Sequence, residues 1–414
     1  MRSKSLIAFV GIVVVLAMLL VGVACSGTGQ SASGAGGSGE PASLAPGKPG
    51  DQGVFDDRVL FGQSAAFSGP AQHLGQDMRS GILAAFNEAN EAGGVHGRRL
   101  ELESLDDGYE SDVAFSNTQQ LLYEREVFAL IGAVGTPTSR AAFLSASAAG
   151  APFLAPFTGA EFLRDPELDN IVNLRASYYQ ETEEMVERLT EDLGLTRIAV
   201  FYQNDSFGQA GLAGTIQALQ RRGLEPAGSG YYERNTGAVT GAVFHILDAD
   251  PEAIIMVGAY VPVAKTVQAV REQIDPVFMA ISFVGSKALA EELGPDGAGI
   301  YVTQVVPSPD DASIAVVAKY QAALADSGLE ATPSFVSLEG YLAGRLAIAG
   351  LDGCGRDLTR DCFLNVIRGK QSVDIDGFML QYGPEDNQGS NAVFVTVLGE
   401  DGKYRPVDRL EIGR

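Results

Sequence analysis

From Val54 onward, short apolar segments alternate with longer amphipathic segments along the chain. Apolar runs of strand length separated by segments of helical period are typical of βαβ units built around parallel sheets. The predicted strands are 59–65, 99–105, 128–132, 152–155, 197–202, 253–257 and 277–281. The predicted helices between them are 75–92, 112–125, 138–149, 179–193, 209–222 and 263–274. The pattern predicts a doubly wound α/β fold that is repeated twice.

The pattern changes after Pro307, where two helices, 312–326 and 335–351, follow each other without a strand between them. Such helices do not extend a parallel sheet, so we expect them to pack on the first lobe. A last apolar segment, 392–398, predicts a strand that returns to the second lobe.

The N-terminus has the features of a bacterial export signal. Arg2 and Lys4 precede an apolar run that ends in small residues at Cys25, which predicts a signal peptide over 1–24 and lipid attachment at Cys25. An uncleaved membrane anchor is the alternative, because the run approaches the length that spans a bilayer. Gly22 stands where a lipobox usually carries leucine.

Residues 25–53 form a Gly-, Ser- and Pro-rich tether by composition. Such a segment buries too little apolar surface to offset its chain entropy. We therefore expect an exported protein at the outer face of a membrane, held there by its N-terminal lipid, in the periplasm or on the extracellular side.

The formal charge of −23 disfavours binding to nucleic acid, since an acidic surface repels phosphates and the chain has no basic cluster. Besides Cys25, the chain has only Cys354 and Cys362. Outside the cytoplasm this pair favours a disulfide, with two reduced thiols as the alternative.

Two predicted strands end in loops that suit a polar ligand. In the first loop, Thr136 is expected at the N-cap and Pro137 at the first helical position, leaving the N–H groups of Thr138 and Ser139 free. The second loop runs from 156 to 160 and contains a Thr-Gly turn. Each loop is alternatively a simple helix start or turn, but two neighbouring strand ends are able to converge on one ligand group.

Aromatic residues follow the strands of the second block. Phe207, Tyr260 and Phe283 lie in polar or Gly-bearing loops, where an aromatic face suits the body of an apolar or planar ligand. Core packing is the alternative for each of them.

Motifs for catalysis are missing from the sequence. His73, His96 and His245 are scattered without metal-ligand spacing, and there is no nucleophile elbow, no phosphate loop and no dinucleotide fingerprint following the first strand. We therefore expect no enzymatic activity, no cofactor and no metal site.

The chain resembles the type I periplasmic substrate-binding proteins of ABC transporters, in the leucine/isoleucine/valine-binding group. The resemblance extends from Val59 to Val407 and is carried by segments that occur in the family's order. These segments are 67–70, 90–98, Asp106-Asp107, 131–139, 155–160, 204–208 and 338–341.

The resemblance implies two lobes joined by three crossovers, near 173–177, 302–306 and 373–378. Lobe 1 is then expected over 54–174 and 305–374, and lobe 2 over 175–304 and 375–414. Closure of the lobes around a ligand would present the protein, as a monomer, to the permease subunits of an importer.

The implied ligand site combines strand-end hydroxyls and amides with aromatic side chains from both lobes. The candidate residues are Leu74, Gly135, Thr136, Thr138, Ser139, Phe157, Thr158, Gly159, Tyr178, Phe207, Tyr260, Ser282 and Phe283.

One departure from amino-acid binders concerns ligand choice. Residues 279–284, where those proteins place an acid for the ligand ammonium, contain no carboxylate. A buried ammonium without an anionic partner is costly. We therefore expect an amide, a carboxylate or an aromatic acid in preference to a branched-chain amino acid. A ligand-sensing receptor domain for a signalling partner is the alternative function.

Overall fold

The computed structural model describes residues 52–369 and 372–411. The predicted signal peptide, Cys25 and most of the predicted tether lie outside the described residues. The strands are β1 (Arg58–Ala65), β2 (Arg99–Asp106), β3 (Ala129–Ile131), β4 (Phe153–Leu154), β5 (Ile171–Val172), β6 (Ile198–Gln203), β7 (Gly228–Tyr232), β8 (Ala253–Val257), β9 (Val277–Ala280), β10 (Tyr301–Gln304), β11 (Val373–Ile375), β12 (Phe378–Leu380), β13 (Phe394–Leu398) and β14 (Tyr404–Pro406). The α-helices are α1 (Gln72–Glu91), α2 (Ser111–Tyr123), α3 (Thr136–Ala148), α4 (Tyr178–Glu187), α5 (Ser206–Arg221), α6 (Thr240–Asp248), α7 (Tyr260–Arg271), α8 (Ser286–Leu293), α9 (Ala315–Asp326), α10 (Phe335–Cys354) and α11 (Arg360–Gly369).

Two large sheets organise the described chain, and β11 and β12 form a third, two-stranded antiparallel sheet. The first has five parallel strands in the order β2-β1-β3-β4-β5. The second has the order β14-β13-β10-β9-β8-β6-β7, in which β6 to β10 pair in parallel and β13 and β14 are antiparallel. The predicted α/β fold with two parallel-sheet lobes is confirmed. The residue limits predicted for the lobes stay predictions.

Helices α9 and α10 pack against α1, which follows the first strand of the first sheet. Small residues allow the backbones of α1 and α10 to approach closely: a Cβ atom on Gly81 would lie 1.9 Å from the Ser337 carbonyl oxygen. After these helices, β13 joins the second sheet. The chain therefore places its last helices and its last strands on different sheets.

Predicted and observed elements agree best where an apolar run is long and buried. All five residues of β8 are buried, and its predicted limits match the structure, because parallel strands covered on both faces have continuous apolar sequence. Several short elements were not predicted. These are β5, β7, β10, β11, β12, β14, α6, α8 and α11. The strand β7 begins Gly-Ser-Gly, a composition that disfavours strands.

Cys354, the last residue of α10, and Cys362 in α11 form a disulfide with their Cα atoms 6.0 Å apart. The bond ties the C-terminal end of α10 to the following helix. Within the described part of the chain, none of the helices has the length and apolar character needed to cross a membrane.

Candidate functional site

The two strand-end loops lie side by side at the carboxyl edge of the first sheet. Beyond β3 and β4, Val134 and Phe157 form a parallel bridge. The Phe157 N–H donates to the Ala133 carbonyl at 2.7 Å, and the Gly135 N–H donates to the Phe157 carbonyl at 3.2 Å. Because the loops continue the parallel pairing of the strands, they bring their threonines to the same place.

Thr136 and Thr158 form a hydroxyl pair, with their Oγ1 atoms 2.7 Å apart and both side chains fully buried. Thr158 Oγ1 also accepts a hydrogen bond from the Ala160 N–H at 3.2 Å. Tyr178 lies beside this pair, and burial raises the pKa of its phenol. The hydroxyls of the two loops therefore converge, as the sequence predicted they are able to do.

The start of α3 differs from the prediction. Gly135, and not Thr136, is the N-cap residue, with φ of 104°. The Ser139 N–H is not free, because it donates to the Gly135 carbonyl at 3.0 Å. Thr138 Oγ1 donates to the Val134 carbonyl at 2.5 Å, so this hydroxyl is used within its own turn. Thr136 thus keeps its hydroxyl for Thr158 and does not cap the helix.

Two glycines allow close packing around this edge. A Cβ atom on Gly135 would lie 2.2 Å from a ring carbon of Tyr109, and one on Gly159 would lie 2.6 Å from Cδ1 of Tyr178. The Gly159 carbonyl accepts from the Tyr178 N–H at 2.7 Å. Any larger residue at either position would displace an aromatic ring.

Aromatic side chains from both sheets meet around Phe283, which is fully buried. Its ring centroid lies 4.5 Å from that of Phe207, 5.4 Å from that of Phe157 and 6.0 Å from that of Tyr109. Phe207 is also 5.3 Å from Tyr178. The rings therefore form one cluster between the sheets. Tyr109, Phe157 and Tyr178 follow strands of the first sheet, and Phe207 and Phe283 follow strands of the second.

Leu74, near the start of α1, and Tyr260, the first residue of α7, lie at a second contact between the two halves of the fold. The neighbouring residue His73 places its ring 5.6 Å from that of Tyr260, and a Cβ atom on Gly285 would lie 2.5 Å from Leu74 Cδ2. These two predicted residues therefore lie where the start of α1 meets the starts of α7 and α8.

A buried charged cluster lies next to the aromatic residues, and the sequence did not indicate it. Arg175 is buried, and its guanidinium lies 4.7 Å from the centre of the Phe157 ring. Its Nη2 donates to Ser282 Oγ and lies 3.5 Å from Glu181 Oε1. Its Nε lies 3.7 Å from Glu339 Oε1.

Glu181 receives three hydrogen bonds. Its Oε2 accepts from the Ser282 N–H at 2.9 Å and from Thr303 Oγ1 at 2.6 Å, and its Oε1 accepts from Ser282 Oγ at 2.9 Å. Residues 279–284 alone predict no carboxylate beside Ser282. This prediction is wrong, because α4 brings the Glu181 carboxylate to that position.

Glu339 occupies the other side of Arg175. Burial raises the pKa of its carboxyl to about 7, and the Arg175 charge only partly opposes this shift. In the sequence, Glu339 is an isolated acid within the largely apolar run of α10. An acid within an apolar run that becomes buried is the local signal that was available for this cluster.

Polar contacts also connect the two sheets at Tyr109, a residue that the sequence predictions missed. The Tyr109 hydroxyl accepts from Gln203 Nε2 at 3.2 Å, and Gln203 Oε1 accepts from the Tyr232 hydroxyl at 2.8 Å. Among residues 52–369 and 372–411, no group of three or more His, Cys, Asp or Glu side chains is arranged to hold a metal ion.

Comparisons with known proteins agree with this architecture. Residues 59–403 match the family model described as "Periplasmic binding protein". A possible leucine/isoleucine/valine-binding protein from Rhodopirellula baltica SH 1 is 37% identical, with a TM-score of 0.80 over 85% of this chain and 96% of that one. A substrate-binding periplasmic protein from Ralstonia solanacearum is 26% identical, with a TM-score of 0.79 over 84% and 99% of the two chains.

Similarity to curated relatives is more limited. Leu/Ile/Val-binding protein homolog 7 from Brucella abortus (strain 2308) is 26% identical over 207 residues, which are 48% of this chain and 51% of the relative. The chain spans about half the length of the curated relatives it matches.

Proposed function

Because this chain belongs to the periplasmic binding protein family, we propose that it captures a small polar ligand between its two sheets by closure of two lobes. The proposal rests on the Thr136–Thr158 hydroxyl pair and on the cluster of aromatic side chains from both sheets that begins at the neighbouring residue Phe157. Polar groups that fix a ligand's orientation, set among apolar surfaces, are typical of small-molecule sites. Amino-acid-like compounds, amides and carboxylic or aromatic acids are the ligand classes that this proposal includes.

The proposal also includes delivery of the ligand to a transporter. The captured ligand passes to the permease of an ABC importer, and a lipid on Cys25 holds the monomeric protein at the outer face of the membrane. The resemblance to leucine/isoleucine/valine-binding proteins supports the importer. The leader and Cys25 support the anchor on sequence grounds alone. Metabolic labelling with a radioactive fatty acid tests the anchor: wild type takes up label, and Cys25→Ala does not.

Thermal-shift measurements test ligand capture. A chain that lacks residues 1–51 is screened against amino acids, amides, aromatic acids and short dicarboxylates. A true ligand raises the melting temperature with its concentration, because it binds the folded state only. If every class leaves the melting temperature unchanged, the proposed function is wrong.

Valine substitutions test the site itself. We expect Thr136→Val with Thr158→Val to abolish the ligand-induced shift. Thr196→Val, at an exposed position before β6, is the matched control and keeps the shift. If the double variant kept its affinity for the ligand, neither threonine would belong to the binding site.

A further inference from the structure

Arg175 has unused hydrogen-bonding capacity on the inner side of the predicted site. Its Nε and Nη1 atoms are buried and have no hydrogen-bond partner. The guanidinium covers one face of Phe157, whose ring is itself next to that of Phe283. Buried guanidinium N–H groups are costly to leave unpaired. They are therefore donors that an acceptor on a ligand is able to satisfy.

The protein's own carboxylates leave these donors open. Glu181 already accepts three hydrogen bonds from Ser282 and Thr303. Glu339 Oε1, at 3.7 Å from Arg175 Nε, is an ion-pair partner beyond hydrogen-bond distance. Arg164, a half-buried cation nearby, is held by Gln388 and by the carbonyls of 160, 175 and 176.

We propose that Arg175 selects a ligand carboxylate, and that the preferred ligand is a monocarboxylate with an apolar or aromatic body and no ammonium group. This inference rests on the proposed function and names its ligand class. The carboxylate accepts from the free N–H groups of Arg175, and the body of the ligand lies against the rings around Phe283.

The same contacts disfavour an α-amino acid. The carboxylate of Glu181 already accepts three hydrogen bonds from Ser282 and Thr303, which reduces the acceptor capacity that remains for a ligand ammonium. An ammonium near Arg175 is also repelled by the guanidinium, and repulsion between buried charges is weakly screened. A neutral amide forms hydrogen bonds that are weaker than those between two charged groups. Among ligands of equal shape, the carboxylate is therefore expected to bind best.

Two sets of probes that share a carbon skeleton test the inference by calorimetry on the full-length chain in detergent at pH 7. One set is 3-phenylpropanoate, phenylalanine and 3-phenylpropanamide, and the other is 4-methylpentanoate, leucine and 4-methylpentanamide. In at least one set, we expect the carboxylate without an amine to bind at least about tenfold more tightly than its two partners, the difference that one charge-assisted contact contributes.

Binding of an amino acid or an amide as tightly as the matched carboxylate in both sets overturns the inference and leaves the proposed function standing. Absence of binding by all six probes also overturns it. The broader thermal-shift screen then decides separately whether the proposed function survives.

A substitution assigns the effect to Arg175. We expect Arg175→Gln to weaken 3-phenylpropanoate binding at least about tenfold, as loss of one charged hydrogen bond does, and to weaken 3-phenylpropanamide binding by a clearly smaller factor, because the amide forms only the weaker, singly charged hydrogen bond. A merely structural arginine would instead affect both probes equally, and that result overturns the inference. If Arg175→Gln does not fold, the double variant with Glu339→Gln removes one charge of each sign and is measured in its place.

Discussion

Glu110 and Arg234 form an ion pair of 2.8 Å between Glu110 Oε2 and Arg234 Nη2. Glu110 follows β2 of the first sheet, and Arg234 follows β7 of the second. The next residue, Asn235, donates to Glu110 Oε1 at 2.7 Å and to the Gly108 carbonyl at 2.9 Å. The loop after β2 of the first sheet and the loop after β7 of the second sheet are therefore linked by an ion pair and two hydrogen bonds.

A double-mutant cycle of Glu110→Gln and Arg234→Met measures this contact. Because Glu110 is about half exposed, we expect a coupling of roughly 0.5–1 kcal/mol in the free energy of unfolding, falling in high salt. Urea denaturation provides the measurement. The exposed pair of Asp401 and Arg405 is the control. Its residues are four positions apart in the chain, so the pair does not connect the two sheets. Zero coupling at low salt would show that the Glu110–Arg234 contact does not persist in solution.

Gly159→Ala is expected to destabilise the protein by about 1–3 kcal/mol, because the new methyl group overlaps Tyr178. Gly241→Ala is the matched control. That glycine lies in α6 with open space around it, so alanine there is neutral or stabilises by up to about 1 kcal/mol. Unfolding in urea compares the two variants. Equal stability of both would contradict the close contact between Gly159 and Tyr178.

Glu339 makes the stability of the protein depend on pH. Its pKa is raised from 4.5 to about 7 in the folded state, mainly by burial. The neutral form is therefore favoured by folding, and this contribution is complete below pH 4.5 and lost as pH rises through about 7. We expect Glu339→Gln to gain stability relative to wild type between pH 5 and pH 8, by at most about 3 kcal/mol.

Free energies of unfolding at several pH values check this expectation. Glu400→Gln, at an exposed position between β13 and β14, serves as the control, and its difference from wild type should not change with pH. A constant difference between Glu339→Gln and wild type across this range would mean that Glu339 does not have the raised pKa.

The disulfide between Cys354 and Cys362 closes a short loop between α10 and α11. Replacing both cysteines with serine is expected to lower the free energy of unfolding by about 2–3 kcal/mol, since the cross-link restricts the unfolded chain. Adding a reductant should destabilise wild type by a similar amount and leave the serine variant unchanged. Equal sensitivity of the two proteins to the reductant would show that the bond is not formed.

Local sequence predicted most long elements but none of the charged residues of the site. The limits of β8 were predicted because five consecutive apolar residues fill a strand that is covered on both faces. The meeting of Thr136 with Thr158 was also predictable, since parallel neighbouring strands end at one edge of a sheet. The N-cap of α3 was assigned to Thr136 and not to Gly135, because the sequence does not reveal a positive φ angle.

The contact of Arg175 with Ser282 joins residues 107 positions apart, and no local pattern pairs them. The same is true of Glu181 and Ser282, which are 101 positions apart. An arginine between two predicted elements is as compatible with a solvated turn as with a buried ion cluster. Only packing of α4 and α10 around the loop after β9 distinguishes these possibilities.

The sequence by itself determined the alternation of strands and helices, the two parallel sheets and the strand ends where hydroxyl and aromatic groups collect. These features follow from the period of apolar residues and from the geometry of parallel strands. The tertiary structure alone decided which charged groups lie beside them. Burial removes water from Arg175, Glu181 and Glu339 together, so their charges act on one another and on the site only after distant segments of the chain have packed.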